Sequence, residues 1–218
     1  MIKAVLFDLD GTLADSLIDL AAATNYAIGK FGYPARETEC YKYFAGDGMA
    51  KMIERALPDC AGDEATVSKI MPVFLEYYGE HYCDNTKPYA GMIDLIDALK
   101  RRGILVAVVT NKAQEMADKV AGKLYGKRFD LIIGKREGIP AKPDPAAALI
   151  AMKELGVTPE ECIFVGDSKM DVKTGVNSGA YPVGVLWGFR KRDELISGGA
   201  KKLINSPEEL LAIIDSLR

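Results

Sequence analysis

Residues 4–16 read Ala-Val-Leu-Phe-Asp-Leu-Asp-Gly-Thr-Leu-Ala-Asp-Ser. Four apolar residues lead into two carboxylates, Asp8 and Asp10, and Gly11 follows at once. An apolar run of this kind predicts a strand that is buried on both faces, as in a parallel sheet. Ligands of such sheets bind at the carboxyl ends of the strands, so both carboxylates are expected at the binding edge.

The two carboxylates stand two residues apart, so an extended backbone points them in the same direction. Neighbouring anions repel each other unless a divalent cation or a shared proton lies between them. Asp is also common in turns and at helix starts, so the triplet Asp-Leu-Asp alone leaves a solvated turn open. The rest of the chain has to decide between these interpretations.

The bulk composition excludes several classes of partner. The 218 residues suffice for one domain, or for one domain with a smaller insertion. With 28 basic and 31 acidic residues, the formal net charge of -3 gives no basic excess that would attract nucleic acid or an anionic membrane. The apolar runs are far shorter than the ~20 residues that span a bilayer. We therefore expect neither nucleic acid nor a membrane as partner.

The cysteines and the single histidine narrow the chemistry. Cys40, Cys60, Cys83 and Cys162 lack the paired spacing of metal sites, and the first residues do not resemble a secretory signal, so we expect a cytoplasmic protein with free thiols. One histidine, His81, excludes mechanisms that need two imidazoles, and its own role stays open. Chemistry must therefore depend on carboxylates, hydroxyls and lysines.

The order of elements predicts an α/β fold with an insertion. Helical spacing without a convincing strand covers residues 15–86, which predicts a helical bundle. From residue 87 onward short apolar strands alternate with helices, which is typical of βαβ units around a parallel sheet. We therefore predict a core of residues 1–14 and 87–218, with residues 15–86 inserted after the first strand as a cover over its carboxyl end. The connections near 14–17 and 84–88 are expected to act as hinges.

Apolar spacing and Gly or Pro stop signals give bounds for the separate elements. Pro72 lies inside a predicted helix at 65–82, which therefore either bends there or begins later. The other predicted helices cover 17–30, 37–44, 49–57, 92–102, 114–124, 145–155 and 170–177, with a last one capped at Ser206. The later strands are predicted at 104–109, 131–133, 162–165, 183–186 and 202–204.

Polar residues follow the later strands as well as the first. Thr110 and Asn111 come after the strand at 104–109, and Asp167 and Asp171 come after the strand at 162–165. Lys142 lies between these two segments. Because the carboxyl ends of parallel strands meet at one edge, these residues are expected to converge on the two carboxylates of the first strand.

These groups together suit phosphoryl transfer. The carboxylates offer hard oxygen ligands for Mg²⁺, which pairs naturally with a substrate phosphate. Thr110 and Asn111 can hydrogen-bond phosphoryl oxygens, and Lys142 supplies a positive charge. Each residue taken singly also fits an ordinary role as a helix cap or a solvated side chain. Only their joint placement favours the functional interpretation.

The motifs occur in the order of a known family. Asp-x-Asp-Gly-Thr-Leu, a strand-end Thr-Asn, Lys-Pro and Gly-Asp-Ser-x-x-Asp follow one another along the chain. In this order they closely resemble the haloacid dehalogenase superfamily of hydrolases, over essentially the whole chain. The resemblance implies a Rossmann-like, doubly wound parallel-sheet core with an inserted α-helical cap. It also implies a Mg²⁺-dependent phosphatase that forms an aspartyl phosphate.

The resemblance implies a role for each motif residue. Asp8 resembles the nucleophile and Asp10 the general acid and base, which its anionic surroundings are expected to keep partly protonated. Thr110 resembles the phosphoryl-binding hydroxyl, and Lys142 the lysine that stabilises negative charge. Dehalogenases lack the acid at the position of Asp10, which argues against dehalogenation. The implied Mg²⁺ ligands are Asp8, Asp10 through its backbone carbonyl, Asp167 and Asp171, the last of which supports either the metal or Lys142.

Weaker similarities indicate a subgroup. Residues 44–48, Phe-Ala-Gly-Asp-Gly, and 186–189, Leu-Trp-Gly-Phe, resemble segments of phosphoglycolate phosphatases. The resemblance implies a small phosphorylated metabolite as substrate, with phosphoglycolate as the first expectation. Gly46 and Gly48 would let backbone amides approach an anionic substrate, although a plain helix-start turn explains them equally well. Lys51 would reach a substrate carboxylate.

Other functions use the same groups. A sugar-phosphate mutase of the β-phosphoglucomutase type shares the chemistry and differs in the cap. Phosphonoacetaldehyde hydrolase uses a cap lysine as a Schiff base, a role that Lys51 keeps open. A receiver domain that stores an aspartyl phosphate also combines acids, a Thr and a Lys around Mg²⁺, but the residue order, Asp10 and the cap argue against it. The oligomeric state is not predicted.

Overall fold

The structure is a computed structural model, and it describes residues 1–58 and 62–217. The chain divides into two compact units. The core unit comprises Met1–Ala14 and Pro88–Arg218, and the insertion unit comprises Asp15–Lys87.

The strands are β1 (Ala4–Phe7), β2 (Ala14–Asp15), β3 (Lys87–Pro88), β4 (Leu105–Ala113), β5 (Leu131–Lys135), β6 (Cys162–Gly166), β7 (Tyr181–Val185) and β8 (Lys202–Ile204). Six of them form a parallel sheet in the order β5-β4-β1-β6-β7-β8, while β2 and β3 form a separate two-stranded sheet. β1 lies at the centre, where Phe7 is in register with Val108 of β4 and Val165 of β6. The predicted α/β, Rossmann-like sheet is confirmed.

The helices of the insertion unit are α1 (Leu17–Gly29), α2 (Tyr41–Phe44), α3 (Met49–Ala56) and α4 (Glu64–His81). Those of the core unit are α5 (Met92–Arg101), α6 (Gln114–Tyr125), α7 (Ala146–Leu155), α8 (Lys169–Ser178), α9 (Arg192–Gly198) and α10 (Glu209–Ser216). Helices α5 to α8 pack against strands of the sheet. Helices therefore cover the sheet. The polar residues discussed below follow the carboxyl ends of its strands.

The burial of β1 follows from its sequence. All four residues of Ala4–Phe7 are fully buried, as expected for a central strand covered on both faces. Leu6 belongs to a core cluster that also contains Val109, Ala148 and Phe164, contributed by β4, α7 and β6. Close packing on both faces therefore holds the end of β1 in a defined position.

Several element bounds differ from the prediction. β4 continues to Ala113, so Thr110 and Asn111 lie within the strand instead of after it. The register between β4 and β5 shifts between Val109 and Ala113, and backbone pairing therefore continues past the apolar residues that marked the predicted end. The short helix α9 was not predicted, because a seven-residue segment with an acidic first turn carries little apolar periodicity.

Helix α4 begins at Glu64 and continues through Pro72, so the alternative that it begins later than residue 65 was wrong. Its start is determined by Asp63, whose side chain accepts a 2.9 Å hydrogen bond from the backbone N–H of Thr66. A capped start of this kind stabilises the first turn of the helix.

A buried carboxylate joins the two ends of the insertion unit. Asp19 on α1 accepts hydrogen bonds from the backbone N–H groups of Asn85 and Thr86, at 3.0 and 2.8 Å, and from the Thr86 hydroxyl at 2.6 Å. Burial opposes ionisation, but these bonds outweigh it and lower the pKa of Asp19. The predicted hinge role of the neighbouring connections stays a prediction.

Cys40 and Cys162 have free thiols, Cys83 is partly buried, and Cys60 lies outside the described residues. Within residues 1–58 and 62–217, no helix combines the length and the apolar character needed to cross a membrane.

Candidate active site

Three of the predicted acids meet at the carboxyl edge of the sheet. Asp8 directly follows β1, Asp167 directly follows β6, and Asp171 lies in the first turn of α8. One carboxylate oxygen from each lies within 4.8 Å of the others, and all three side chains are buried. The tertiary structure therefore brings Asp8 beside two acids that lie more than 150 residues further along the chain.

Lys142 lies between two of these acids. Its Nζ is 2.7 Å from Oδ1 of Asp8 and 2.6 Å from Oδ1 of Asp171, and it also donates a hydrogen bond to the carbonyl oxygen of Val109. Burial alone would lower the pKa of Lys142, but the charges of Asp171 and Asp8 raise it well above its usual value. The lysine is thus a fixed cation beside the proposed nucleophile.

The charge balance of the cluster is negative. Burial and the charge of Asp171 raise the pKa of Asp8 to about 6, because together they outweigh the lowering effect of Lys142. Burial and the charges of Asp171 and Asp8 raise the pKa of Asp167 to about 8. Three carboxylates thus share one ammonium group, which is the arrangement expected of a site for an additional cation.

The donor set fits a hard divalent ion such as Mg²⁺. Among the described residues Oδ1 of Asp8 is without a hydrogen-bond partner by geometry, and its close contact is the ion pair with Nζ of Lys142 at 2.7 Å. A buried carboxylate oxygen without a hydrogen bond is costly unless another group binds it. Oxygen ligands in an anionic cluster are the ones that Mg²⁺ prefers in proteins.

Asp167 is oriented by two neighbouring loops. The Thr12 hydroxyl donates to its Oδ1 at 3.1 Å, and the backbone N–H of Phe189 donates to its Oδ2 at 2.8 Å. Both loops approach so closely that a Cβ at Gly11 or at Gly188 would lie 2.7 Å from Cγ of Asp167. Glycine at these two positions is therefore a condition for the observed position of the carboxylate.

Asp171 contacts Lys142 with one oxygen and Ser168 with the other. The backbone N–H and the hydroxyl of Ser168 donate to Oδ2 of Asp171 at 2.9 and 2.6 Å. Both residues form a reciprocal cap at the start of α8. Asp171 is thereby locked in place while its other oxygen holds the lysine.

Thr110 and Asn111 also reach this edge, and both are buried. The hydroxyl oxygen of Thr110 accepts a 3.3 Å hydrogen bond from the backbone N–H of Lys112. The side-chain amide of Asn111 bonds the backbone of Lys142 on both sides, accepting from its N–H at 2.8 Å and donating to its carbonyl at 3.3 Å. Asn111 therefore braces the segment that carries Lys142.

Asp10 lies next to a second lysine. Nζ of Lys112 is 3.1 and 2.9 Å from the two carboxylate oxygens of Asp10. The surroundings of Asp10 thus include a cation, where the sequence suggested only anions. Lys112 lies two residues after Thr110 in the same strand, and this spacing was the signal that could have pointed to it.

The remaining predicted residues lie in the insertion unit. Gly46 and Gly48 have φ angles of 110° and 93°, and Gly48 immediately precedes α3. Nζ of Lys51 is 2.8 Å from both carboxylate oxygens of Glu54, on an exposed surface. His81 is partly exposed, and its Nδ1 lies 2.7 Å from Oδ2 of Asp84.

Thr12 and Phe189 were not among the predicted site residues. Their contacts to Asp167 connect positions that are 155 and 22 residues apart, so no local pattern reveals them. Trp187, in the same loop as Phe189, donates from Nε1 to the carbonyl oxygen of Thr12 at 3.0 Å. This bond ties the loop to the turn after β1.

The fold and the site together are those of an α/β protein with a buried lysine and an acidic cluster at the carboxyl edge of a parallel sheet. Residues 5–185 match the sequence model of the haloacid dehalogenase-like hydrolases. The chain belongs to this family, and within it the chain groups with the phosphatases.

Comparison with individual proteins supports this placement. Phosphoglycolate phosphatase 1 of Pseudomonas aeruginosa is 33% identical over 98% of this chain and 80% of its own length. N-acetylmuramic acid 6-phosphate phosphatase of the same organism is 30% identical over 98% and 95%. A crystal structure from Lactobacillus delbrueckii subsp. bulgaricus, provisionally assigned as a phosphoglycolate phosphatase, superposes with a TM-score of 0.92 at 32% identity and covers 97% of this chain and 98% of its own.

Proposed function

We propose that this protein is a Mg²⁺-dependent phosphomonoester hydrolase that forms an aspartyl phosphate on Asp8. The observation that carries the proposal is the position of the Asp8 carboxylate, beside the Lys142 ammonium and within the buried cluster of acids. A carboxylate nucleophile with a fixed cation and metal-binding oxygens is suited to phosphoryl transfer.

The metal would be held by one carboxylate oxygen of Asp8, by Asp167 and by the backbone carbonyl of Asp10. When bound, Mg²⁺ neutralises the substrate phosphate and the charge that develops in the transition state. Asp171 would serve mainly through Lys142, because both its oxygens already have partners in Lys142 and Ser168.

The first half-reaction forms the phosphoenzyme. One carboxylate oxygen of Asp8 attacks phosphorus, and the bond between phosphorus and the substrate oxygen breaks. Asp10 gives its proton to this leaving oxygen, while Lys142 and the Thr110 hydroxyl stabilise the charge on the phosphoryl oxygens. Asn111 contributes by bracing Lys142, in place of the direct phosphoryl contact expected from the sequence.

The second half-reaction releases phosphate. A water molecule attacks phosphorus of the aspartyl phosphate and gives one proton to the Asp10 carboxylate. The bond between phosphorus and Asp8 breaks, which restores the Asp8 carboxylate and the protonated Asp10. The same acid thus serves both steps and is ready for the next substrate.

The substrate is a small phosphorylated metabolite, and phosphoglycolate is the first candidate. Both named relatives act on phosphate esters that also carry a carboxylate, and the N-acetylmuramic acid 6-phosphate phosphatase supports a second, larger candidate of this kind. The insertion unit would act as the cap that selects among them, with Gly46, Gly48 and Lys51 as its substrate contacts. Lys51 is exposed and ion-paired, which does not favour the desolvated amine that a Schiff-base mechanism needs.

The nucleophile is tested by trapping. Borohydride reduction during turnover should convert phosphorylated Asp8 to homoserine, which mass spectrometry of the peptide containing residue 8 detects. Asp8→Asn should bind Mg²⁺ weakly and release no phosphate. Normal turnover by this variant, or trapping at another residue, would contradict the assignment.

The substrate is tested with a panel at equal concentration in Mg²⁺. Phosphoglycolate should give the highest kcat/KM, and N-acetylmuramic acid 6-phosphate is the main competitor. Sugar phosphates with and without a bisphosphate primer test for mutase activity. Transfer of the phosphoryl group to a second sugar hydroxyl, with little phosphate release, would replace the hydrolase proposal.

A further inference from the structure

Lys112 forms an ion pair with Asp10 and has no part in the two half-reactions proposed for the enzyme. Its Nζ lies 3.1 Å from Oδ1 and 2.9 Å from Oδ2 of Asp10. The Lys112 side chain is only 3% exposed and that of Asp10 is 16% exposed. A buried ammonium with contacts to both oxygens of one carboxylate restrains that carboxylate in its plane and in its direction.

Two lysines thus serve two carboxylates at the same edge of the sheet. Lys142 lies beside Asp8, whereas Lys112 lies beside Asp10. Lys112 is carried by β4, a strand paired directly with β1, so its backbone is fixed relative to the strand that precedes Asp10. Asp8 and Asp10 are thus paired with different lysines, of which Lys142 is also shared with Asp171.

We propose that Lys112 is a positioning residue that holds the Asp10 carboxylate in line with the leaving oxygen of the substrate. The inference depends on the proposed role of Asp10 as general acid and base. The ammonium keeps a hydrogen bond to one carboxylate oxygen while the other carries the proton. An acid that rotates freely would spend little time within hydrogen-bond reach of the leaving oxygen, and proton transfer requires that reach.

Leaving groups of different basicity test this role. An alkyl phosphate such as phosphoglycolate needs a proton on its leaving oxygen, whereas 4-nitrophenyl phosphate releases a stable anion without one. The parameter kcat/KM reports the steps up to departure of the leaving group. The ratio of kcat/KM for the alkyl ester to that for the aryl ester therefore isolates proton delivery, and it does not depend on the fraction of folded enzyme.

The experiment compares Lys112→Met, Lys112→Arg and Asp10→Asn with the unaltered protein, with saturating Mg²⁺. Lys119→Met is the matched control, because Lys119 is an exposed lysine paired with Glu115 on α6. Removal of a general acid costs about 10²-fold or more, so Asp10→Asn should lower the alkyl-to-aryl ratio by that factor. Lys112→Met should lower the ratio at least about 10-fold with little change in KM, since it leaves the acid present but misplaced.

The charge-conserving variant Lys112→Arg and the control Lys119→Met should both keep the alkyl-to-aryl ratio close to that of the unaltered protein. Lys112→Arg should keep the ratio within about threefold of the unaltered protein, because a guanidinium can also bind both carboxylate oxygens. Lys119→Met should leave the ratio unchanged.

Each contrary result has a distinct meaning. An unchanged ratio in Lys112→Met, together with a lowered ratio in Asp10→Asn, overturns the role of Lys112 alone. An unchanged ratio in both variants overturns the role of Asp10 and with it the proposed reaction. If Lys112→Met raised KM only for esters that carry a carboxylate, Lys112 would be a substrate contact. If Lys112→Arg also lowered the alkyl-to-aryl ratio, the positive charge at this position would not be what positions Asp10. Either result contradicts the proposal.

Discussion

Nζ of Lys142 lies 2.6 Å from Oδ1 of Asp171, and both side chains are buried. Asp171 is itself held by Ser168, and the backbone of Lys142 is held by Asn111. The lysine beside Asp8 is therefore positioned by groups from α8 and β4 as well as by its own loop. Such support keeps a charged group in place without reorganisation during the reaction.

Replacing this lysine should impair both activity and stability. Lys142→Met removes the cation from a cluster of three buried carboxylates, so we expect kcat to fall about 10²-fold to 10³-fold, as for the loss of one stabilising charge or donor. The metal-free protein should lose about 3 kcal/mol of unfolding free energy, because carboxylates remain buried without their partner. Phosphate release and urea denaturation measure the two effects, and the exposed Lys119→Met variant is the control.

Stability of the metal-free protein should depend on pH in a particular direction. The pKa values of Asp8 and Asp167 in the folded protein, about 6 and about 8, lie above their ordinary value of 3.8. The folded state therefore binds protons more tightly than the unfolded state, and this contribution is complete below about pH 4 and is lost as the pH rises through 6 to 8. Urea denaturation with a chelator present should show decreasing stability over this range.

Magnesium should reverse this trend, because the ion competes with protons for the same carboxylates. Affinity for Mg²⁺, followed by calorimetry, should increase from pH 5 to pH 8. Asp167→Asn should weaken the pH dependence of stability between pH 6 and pH 8. Mg²⁺ affinity that is independent of pH would show that these carboxylates do not hold the ion.

Asp167 and Asp171 should differ in how their loss affects the enzyme. Asp167→Asn should raise the Mg²⁺ concentration for half-maximal activity about 10-fold to 100-fold, as expected when a metal site is weakened. Asp171→Asn should mainly lower kcat at saturating Mg²⁺, because Asp171 holds Lys142. Its effect on the Mg²⁺ concentration for half-maximal activity should be the smaller one. Mg²⁺ titrations of phosphate release measure both quantities. If both variants raised the Mg²⁺ requirement equally, Asp171 would be a metal ligand in the same way as Asp167, which contradicts this prediction.

The loop after β7 should be intolerant of a side chain at Gly188. Gly188→Ala places a Cβ 2.7 Å from Cγ of Asp167, so the loop or the carboxylate must move. We expect a loss of about 1–3 kcal/mol in unfolding free energy and a higher Mg²⁺ requirement.

Gly122 provides the matched control for this change. It lies within α6 with open space where its Cβ would be, so Gly122→Ala should stabilise the protein by about 1 kcal/mol. Thermal unfolding with and without Mg²⁺ compares the two variants. A Gly188→Ala protein with normal stability and normal Mg²⁺ response would show that the loop adapts freely.

The sequence was most informative where structure depends on nearby residues. The apolar run before Asp8 was enough to predict a buried strand, and Gly156 was enough to end a helix, since it adopts the left-handed conformation with a φ of 69°. The parallel sheet followed from the alternation of such signals. The extension of β4 to Ala113 could not be seen in the same way, because the pairing partner in β5 contributes it.

The same distinction between local and distant signals applies to the site. Asp8, Asp167 and Lys142 could be placed at one edge because strand ends converge there in any parallel sheet. The ion pair between Lys112 and Asp10 joins residues that are 102 positions apart, and its existence depends on the register between β1 and β4.

The sequence by itself determined the class of the sheet, the edge at which the acids gather and the chemical types of the groups there. It could do so because apolar periodicity and the order of motifs are local properties of the chain. Only the tertiary structure decided which lysine accompanies which carboxylate, and that Thr12 and the N–H of Phe189 orient Asp167. Those contacts depend on distances between distant segments, which are set by packing and strand register and have no counterpart in local sequence.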